Sequence, residues 1–204
     1  MRDSAVLEKV LLKKSMTIIL MRHGKPDHLQ GGRLSALAME AWCEAYDMSL
    51  VADMPPERCR EVVATADYIV ASPLPRARSS LEKLGLEAAD IDPLFSEVSL
   101  PVIRLGYPNL PANFWLLLLR VMWLGGYAGK VESYQQAEQR AQQAAAKLIE
   151  LSARGNVLLA GHGIMNKLIA RQLRRQGWLA EKHASSRYWS TAIYHPPFIP
   201  AQGE

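Results

Sequence analysis

Three short apolar runs recur along the chain, and each ends in a turn of small and polar residues before a helical pattern begins. The runs are MTIILM at 16–21, YIVA at 68–71 and VLLA at 157–160. Uninterrupted apolar runs of this length are typical of strands that are buried on both faces, as in a parallel sheet. Their alternation with helices predicts an α/β fold, a three-layer α/β/α sandwich with a mostly parallel central sheet.

Helical periodicity is clearest in three segments. The longest, from Ser133 to Leu151, begins with a residue suited to an N-cap and repeats apolar residues along one stripe: Ala137, Ala141, Ala144, Leu148 and Leu151. A second helix is expected over 164–176, with Leu168, Ile169 and Leu173 buried and Gly177 as its stop signal. A shorter helix is expected over 76–84. These helices should cover the faces of the sheet.

The segment FWLLLLRVMWL at 114–124 is apolar nearly all round. It is too short to span a bilayer, which needs about 20 residues, and Arg120 interrupts it. Because helices that are apolar all round are usually buried, we favour a core helix or a helix between two copies of the chain over a lid that touches substrate. A membrane-surface position stays open at this stage.

Composition is that of one globular domain. The chain has 204 residues, of which 49% are hydrophobic and 22% charged, so one domain over 1–204 is expected, with an N-terminal extension at 1–15 and a flexible tail at 196–204. The extension lacks the apolar core of a secretory signal, which favours a cytoplasmic protein. Cys43 and Cys59 are too few for a disulfide scaffold, so reduced thiols are expected.

Charge argues against a nucleic-acid partner. The net charge is +4, and the basic residues are scattered rather than gathered in a stripe with interleaved aromatic residues. A small anionic molecule is compatible with this balance.

The turns after the three apolar runs carry the candidate chemistry. Arg22 and His23 follow the first run, Arg76 follows the second, and His162 follows the third. Because the carboxyl ends of parallel strands meet at one edge, where ligands bind, we expect these side chains to lie together. His23 and His28 lack a clustered third ligand, so we expect no metal and no cofactor.

The order of these motifs resembles that of the histidine phosphatase superfamily, which includes the cofactor-dependent phosphoglycerate mutases. RHG at 22–24 resembles the family signature, and SPLPRA at 72–77 is similar to its second motif. Glu97 in LFSE matches the acidic motif, and His162-Gly163 matches the last one. Together the motifs extend from Met16 to about Leu173, which is most of the chain.

The resemblance implies a role for each of these side chains. His23 would attack phosphorus and become phosphohistidine, while Arg22, Arg76 and His162 would bind the phosphoryl oxygens. Glu97 would protonate the departing alkoxide and then activate water, a role that requires a raised carboxyl pKa. No metal is needed, because the protein's own cations supply the positive charge.

Four departures from the family pattern affect the substrate. KPDH at 25–28 replaces the acidic or amide, hydroxyl and Asn residues that many members carry after RHG, and LSALA at 34–38 represents the next motif only loosely. VES at 131–133 replaces a Gly-Glu-Ser segment, which makes Glu132 a second candidate acid. The apolar insertion at 114–126 indicates a different or narrower substrate pocket.

The function expected from these observations is hydrolysis of a phosphomonoester of a small molecule. A mutase must retain its phosphorylated product in a phosphate-rich pocket, and the apolar insertion offers little for a second phosphate. Three alternatives stay open: a phosphoglycerate mutase-type phosphotransferase, a protein phosphohistidine phosphatase whose apolar segment docks a partner, and a phosphoester-binding module without turnover. Pairing into a homodimer also stays open.

Overall fold

The structure, a computed structural model, describes residues 16–28, 32–181 and 185–197. The expected extension at 1–15 and all but the first two residues of the expected tail lie outside the described residues.

Strands and helices alternate through most of the described chain. The strands are β1 (Ile18–Arg22), β2 (Arg33–Leu34), β3 (Tyr68–Ala71), β4 (Asp90–Ile91), β5 (Leu110–Pro111), β6 (Val157–Gly161), β7 (Leu179–Ala180) and β8 (Thr191–His195). The helices are α1 (Ala38–Asp47), α2 (Glu57–Val63), α3 (Pro75–Leu84), α4 (Ala112–Leu124), α5 (Tyr134–Ser152) and α6 (Gly163–Arg175), with a 3₁₀ turn at Pro93–Phe95.

The central sheet has six strands in the order β4-β3-β6-β1-β8-β7. Strands β4, β3, β6 and β1 run parallel, whereas β8 is antiparallel to β1 and β7 is antiparallel to β8. The prediction of a mostly parallel central sheet is therefore confirmed. Strands β2 and β5 form a separate two-stranded sheet.

Alternate side chains of the inner strands enter two different cores, as the period of two in a strand requires. Ile18 and Leu20 of β1 pack in the cluster that contains Ala141 and Leu148 of α5. Ile19 and Met21 of the same strand pack in the cluster that contains Leu81 of α3. Helices on both faces of the sheet give the three layers predicted from the sequence.

Helix α5 forms where the sequence predicts it. The Ser133 hydroxyl accepts a hydrogen bond from the Gln136 N–H at 3.2 Å, and the Gln136 side chain accepts one from the Ser133 N–H at 2.8 Å. This reciprocal capping box satisfies two backbone donors that a helix start otherwise leaves free. All five residues of the predicted apolar stripe are buried: Ala137, Ala141, Ala144, Leu148 and Leu151.

The other two predicted helices are also confirmed. Helix α6 buries Leu168, Ile169 and Leu173 and ends before Gly177, whose φ of +84° is in the left-handed region. Glycine adopts that conformation without a steric penalty, which is why it terminates helices so often. Helix α3 covers the predicted segment 76–84 and begins one residue earlier, at Pro75.

Helix α4 departs from the first of its two predicted positions, that of a core helix. Its buried face contains Trp115, Leu119 and Trp123, but another face is solvent-exposed, with exposures of 48% to 65% at Phe114, Leu117, Val121 and Leu124. The reason is its position: α4 packs against α1 in a third, smaller cluster that includes Met39 and Trp42, outside the two cores of the sandwich. No helix among the described residues is long and apolar enough to cross a membrane.

The capping box of α5 gives a test of the fold. Ser133→Ala should lower the free energy of unfolding by about 1 kcal/mol, because it leaves the Gln136 N–H without its acceptor. For a chain of this size, such a loss lowers the melting temperature by about 2–4 °C in a thermal melt. Gln135→Ala changes an exposed side chain in the same helical turn and should leave the melting temperature the same or slightly higher. Equal effects of the two variants would contradict the capping role.

Candidate active site

The register of the central strands brings three sequence motifs to one edge of the sheet. The His23 N–H donates to the Gly161 carbonyl at 3.0 Å, just beyond the β1–β6 ladder. On the other side of β6, the Ser72 N–H donates to the Ala160 carbonyl at 3.0 Å. The first residues after β1, β3 and β6 therefore lie side by side, which is the arrangement expected from the parallel pattern.

His23 is buried and oriented by its own turn. Only 2% of the residue is exposed, and Nδ1 lies 2.7 Å from the Gly24 carbonyl oxygen. A carbonyl oxygen only accepts, so we assign the proton to Nδ1, which leaves the lone pair on Nε2. Burial is the main cause that lowers the pKa of His23 well below its usual value, and the neighbouring His162, Arg76 and Arg22 act in the same direction. At neutral pH the imidazole is thus uncharged, and Nε2 keeps its lone pair.

The turn after His23 requires glycine because aromatic and aliphatic side chains pack directly on it. A Cβ at Gly24 would lie 2.3 Å from the Trp189 ring and 2.4 Å from a Val51 methyl group. The Trp189 indole N–H donates to the Asp53 carboxylate at 2.9 Å, which fixes the ring there. The Gly24 N–H donates to the Ser80 hydroxyl at 3.0 Å. Sequence reasoning did not single out these packing partners, and no motif marks them.

His162 is fully buried beside His23. The centroids of the two rings are 5.2 Å apart, and His162 Nε2 lies 2.7 Å from the Ser72 hydroxyl oxygen. Nδ1 is buried and has no hydrogen-bond partner within the described part of the chain. Burial is the main cause that lowers the pKa of His162 well below its usual value, and the charges of Arg76 and Arg22 act in the same direction.

Both motif arginines are held against tyrosines. The Arg76 guanidinium lies 4.8 Å from the Tyr46 ring centroid, and the Arg22 guanidinium lies 4.4 Å from the Tyr188 ring centroid. Arg76 is 1% exposed and its Nη1 donates to Asp47 Oδ1 at 2.9 Å. These contacts fix the planes of both guanidinium groups.

Three buried donors at this edge lack partners. They are Nε of Arg22, Nε of Arg76 and Nδ1 of His162, for which the described residues provide no acceptor. We assign the His162 proton to Nδ1, because the Ser72 hydroxyl oxygen accepts from the Leu74 N–H at 3.2 Å and has its own proton to donate to Nε2. A buried polar group without a partner costs about 1–3 kcal/mol, and native structures contain few of them. Donors on two arginines and a histidine beside a neutral imidazole fit the nonbridging oxygens of a phosphoryl group.

Glu97 lies at the start of α6 rather than free in the site. Its carboxylate accepts from the N–H groups of Ile164 at 3.1 Å, Met165 at 3.0 Å and its own neighbour Val98 at 3.0 Å. Burial alone would raise the pKa of Glu97, but the Arg120 guanidinium and these three N–H donors outweigh it and hold the pKa below its usual value. The sequence-based expectation of a raised pKa is therefore wrong, because these contacts shift the pKa of Glu97 in the opposite direction.

Glu132, the second candidate acid, is engaged elsewhere. Both of its carboxylate oxygens accept from Arg140, at 2.8 and 2.7 Å. Arg140 also donates to the carbonyls of Leu94 and Ser96, so it ties the start of α5 to the acidic motif. Glu132 does not line the cavity that contains His23, as far as the described residues define it.

A cavity of about 560 Å³ opens over the strand ends. Arg22, His23, Arg76 and Glu97 line it, so the structure brings these predicted site residues into one space, with His162 packed behind His23. The opposite walls come from α1 and α4. The preference for a core helix over 114–124 is thus corrected, because Leu116, Leu119 and Arg120 of α4 face this cavity. Pairing of two copies through this helix stays a prediction.

The described residues contain no group of three or more His, Cys, Asp and Glu side chains placed to hold a metal ion.

The sequence model of the histidine phosphatase superfamily (branch 1) matches residues 52–184. The chain belongs to this superfamily, a family that contains phosphatases and mutases. The match covers the motifs at 72–77, Glu97 and His162. A search of curated proteins found no match.

Solved structures show the same fold at low sequence identity. The product of an open reading frame of Mycobacterium tuberculosis, Rv3214, is 18% identical over 87% of this chain and 89% of its own, with a TM-score of 0.59. The mycobacterial glucosyl-3-phosphoglycerate phosphatase Rv2419c is 19% identical over 78% and 79%, with a TM-score of 0.52. TTHB049 from Thermus thermophilus is 18% identical over 87% and 92%, with a TM-score of 0.54.

The two buried neutral histidines predict how stability depends on pH. Their pKa values are lower in the folded than in the unfolded chain, so the unfolded state binds more protons below about pH 6.5. The contribution of the two histidines to the free energy of unfolding should be fully present above that pH. It should be lost as the pH drops towards their folded-state pKa values. A thermal melt at pH 5.5 should give a midpoint at least about 2 °C below that at pH 7.5.

Two variants locate this effect. His162→Gln should flatten the pH dependence of the melting temperature, because it removes one of the titrating groups. His195→Gln, which changes an exposed histidine paired with Glu181, should retain the pH dependence of the wild type. An unchanged dependence in His162→Gln would show that His162 is not held neutral by the fold.

Proposed function

We propose that the protein is a phosphatase that hydrolyses a phosphomonoester through a phosphohistidine intermediate on His23. The observation that supports this most strongly is the buried, neutral His23 imidazole beside three buried donors that lack partners among the described residues. A nucleophile needs its lone pair, and a phosphoryl group needs donors for its oxygens.

In the first step, Nε2 of His23 attacks phosphorus in line with the ester oxygen. The N–P bond forms, the P–O bond to the leaving group breaks, and positive charge develops on the imidazole. The hydrogen bond from Nδ1 to the Gly24 carbonyl stabilises that charge. Arg22, Arg76 and His162 donate to the nonbridging oxygens, which carry the charge of the transition state.

Glu97 is the group we assign to proton transfer. An alkoxide leaving group must gain a proton, and the free enzyme holds Glu97 ionised. A phosphate dianion bound in the same cavity adds negative charge near the carboxylate, which raises its pKa and favours uptake of a proton with the substrate. After it has protonated the alcohol, the carboxylate accepts a proton from the water that attacks phosphohistidine, and phosphate and free His23 result.

The rest of the cavity favours hydrolysis over mutase chemistry. Besides Arg22 and Arg76, its lining includes two further cations, Arg120 and Lys167. Arg120 donates to the Val98 carbonyl at 3.1 Å beside Glu97, and Lys167 donates to the Ser186 hydroxyl at 2.5 Å. A second phosphate would have to displace these contacts. The mycobacterial glucosyl-3-phosphoglycerate phosphatase, which shares the fold, is named as a phosphatase.

The role of His23 is tested with an activated ester. Wild-type protein should hydrolyse p-nitrophenyl phosphate without added metal, and His23→Ala should lose at least about a thousandfold in kcat/KM, because no other group supplies the lone pair. Wild type quenched in alkali should contain a base-stable, acid-labile phosphoenzyme that His23→Ala lacks. His195→Ala, at an exposed site, should retain activity.

Other outcomes identify the alternatives. Tight phosphate binding without turnover of any ester would favour a binding module. Transfer of the phosphoryl group between phosphoglycerate isomers would favour a mutase, and turnover of phosphohistidine protein alone would favour a protein phosphatase.

The two candidate acids, Glu97 and Glu132, are distinguished by how strongly the effect of each variant on kcat/KM depends on the leaving group. Glu97→Gln should lower kcat/KM for an alkyl phosphate by about 10²- to 10⁴-fold, because an alkoxide cannot depart without a proton. The same variant should lower kcat/KM far less for p-nitrophenyl phosphate, whose phenolate is stable. Gln retains a carbonyl acceptor for the start of α6. Glu132→Gln is the matched control and should affect both esters equally, and an equal loss on both esters in Glu97→Gln would leave Glu97 only a structural role.

A further inference from the structure

We propose that the alcohol portion of the substrate is a bulky apolar group, a medium-length alkyl chain or an aryl ring, which binds between α1 and α4. This inference rests on the proposed phosphatase function, since the same cavity supplies both the phosphoryl site and the space for the leaving group.

The cavity is continuous from the catalytic groups to an apolar compartment. Arg22, His23 and Arg76 line the same space as Met39 and Trp42 of α1. A volume of about 560 Å³ is far larger than a phosphate ion requires, and it lies in the range in which pockets enclose whole organic ligands. The ester oxygen of a phosphate held at His23 would therefore direct the rest of the substrate into this compartment.

Three chain segments supply the apolar walls of the compartment. They are α1, the loop that follows Glu97, and α4, through the side chains Met39, Trp42, Leu100, Val102, Leu116 and Leu119. Met39, Trp42 and Leu119 are at most 8% exposed and belong to the cluster between α1 and α4. Because these side chains are already packed, the wall exists before substrate binds, and apolar surface placed against it is removed from water without further ordering.

Charges in the lining oppose a second anionic group on the substrate. Glu40, Glu44 and Asp47 of α1 also line the cavity, and of these Asp47 is the ion-pair partner of Arg76. The cation on the facing helix, Arg120, lies beside the Glu97 carboxylate, so the pair contributes little net charge. Lys167, which also lines the cavity, donates to the Ser186 hydroxyl. A carboxylate or second phosphate on the substrate would be repelled by Glu40 and Glu44, whereas an apolar group leaves these two exposed carboxylates in contact with water.

Three primary alkyl phosphates test the inference with the same bond broken in each case: n-hexyl phosphate, glycerol 3-phosphate and 3-phosphoglycerate. Wild-type kcat/KM should be at least about tenfold higher for n-hexyl phosphate than for glycerol 3-phosphate, since even one methylene in an apolar pocket is worth about tenfold or more. The value for 3-phosphoglycerate should be lowest, because its carboxylate adds charge. Equal values, or a preference for 3-phosphoglycerate, would overturn the inference.

A pair of variants on α4 tests whether the preference for an apolar alcohol portion arises from the cavity wall. Leu116→Lys puts a cation into the wall and should lower the n-hexyl phosphate to glycerol 3-phosphate ratio by about tenfold. Leu124→Lys makes the same chemical change on the same helix at a position that is 58% exposed and outside the cavity lining, and it should leave the ratio unchanged. An equal change of the ratio in both variants would overturn the assignment to this wall.

A binding measurement distinguishes failure of this inference from failure of the proposed function. His23→Ala is titrated by calorimetry with n-hexyl phosphate and with inorganic phosphate, so that no turnover is needed. Affinity at least about tenfold higher for n-hexyl phosphate supports the apolar compartment even if none of the esters is hydrolysed. Equal affinities would overturn the inference while leaving hydrolysis at His23 intact.

Discussion

The parallel pairing of β1 and β3 on either side of β6 is the constraint on which the rest of the site depends. The hydrogen bonds from the His23 and Ser72 N–H groups to successive carbonyls of β6 continue the two ladders past the ends of the strands. A shift of one residue in either register would turn His23 or Ser72 to the opposite face of the sheet. The close approach of the two histidine rings and the hydrogen bond between Ser72 and His162 therefore follow from backbone pairing.

The burial of several basic groups at one edge of the sheet is electrostatically unfavourable. This unfavourable energy determines the protonation of the neighbouring histidines. Arg76 is nearly fully buried and has one carboxylate partner, Asp47. The histidines beside it respond by remaining neutral, since a further positive charge there would be repelled and poorly solvated. In the proposed reaction an anion relieves this arrangement, because it pairs with the cations and accepts from donors that the described residues leave free. Under that proposal, the nucleophilicity of His23 and the affinity for phosphate have the same physical origin.

Helices α1 and α4 form the walls of the cavity at this edge of the sheet. They pack on each other through a cluster that is separate from the two cores of the sandwich, and their inner faces enclose the space beside the catalytic groups. In the proposed reaction, the sandwich positions the phosphoryl chemistry, while these two helices determine the shape and polarity of the space for the leaving group. Such a division explains how one catalytic arrangement can accept different alcohols when the covering helices differ.

The sequence by itself determined the sheet, its main helices and the residues at the strand ends, because these depend on local periodicity, capping and short motifs. It predicted the strand 68–71 at its observed bounds and the two helices that follow Ser133 and His162 to within one residue at each end. Only the tertiary structure decided what depends on contacts between distant residues. It placed Glu97 on the start of α6, which reverses the expected pKa shift, paired Glu132 with Arg140, and turned one face of α4 towards the cavity. Neither periodicity nor motif spacing predicts such contacts. Partners such as Asp47 and Arg76 are distant in the sequence and come together only when the chain folds.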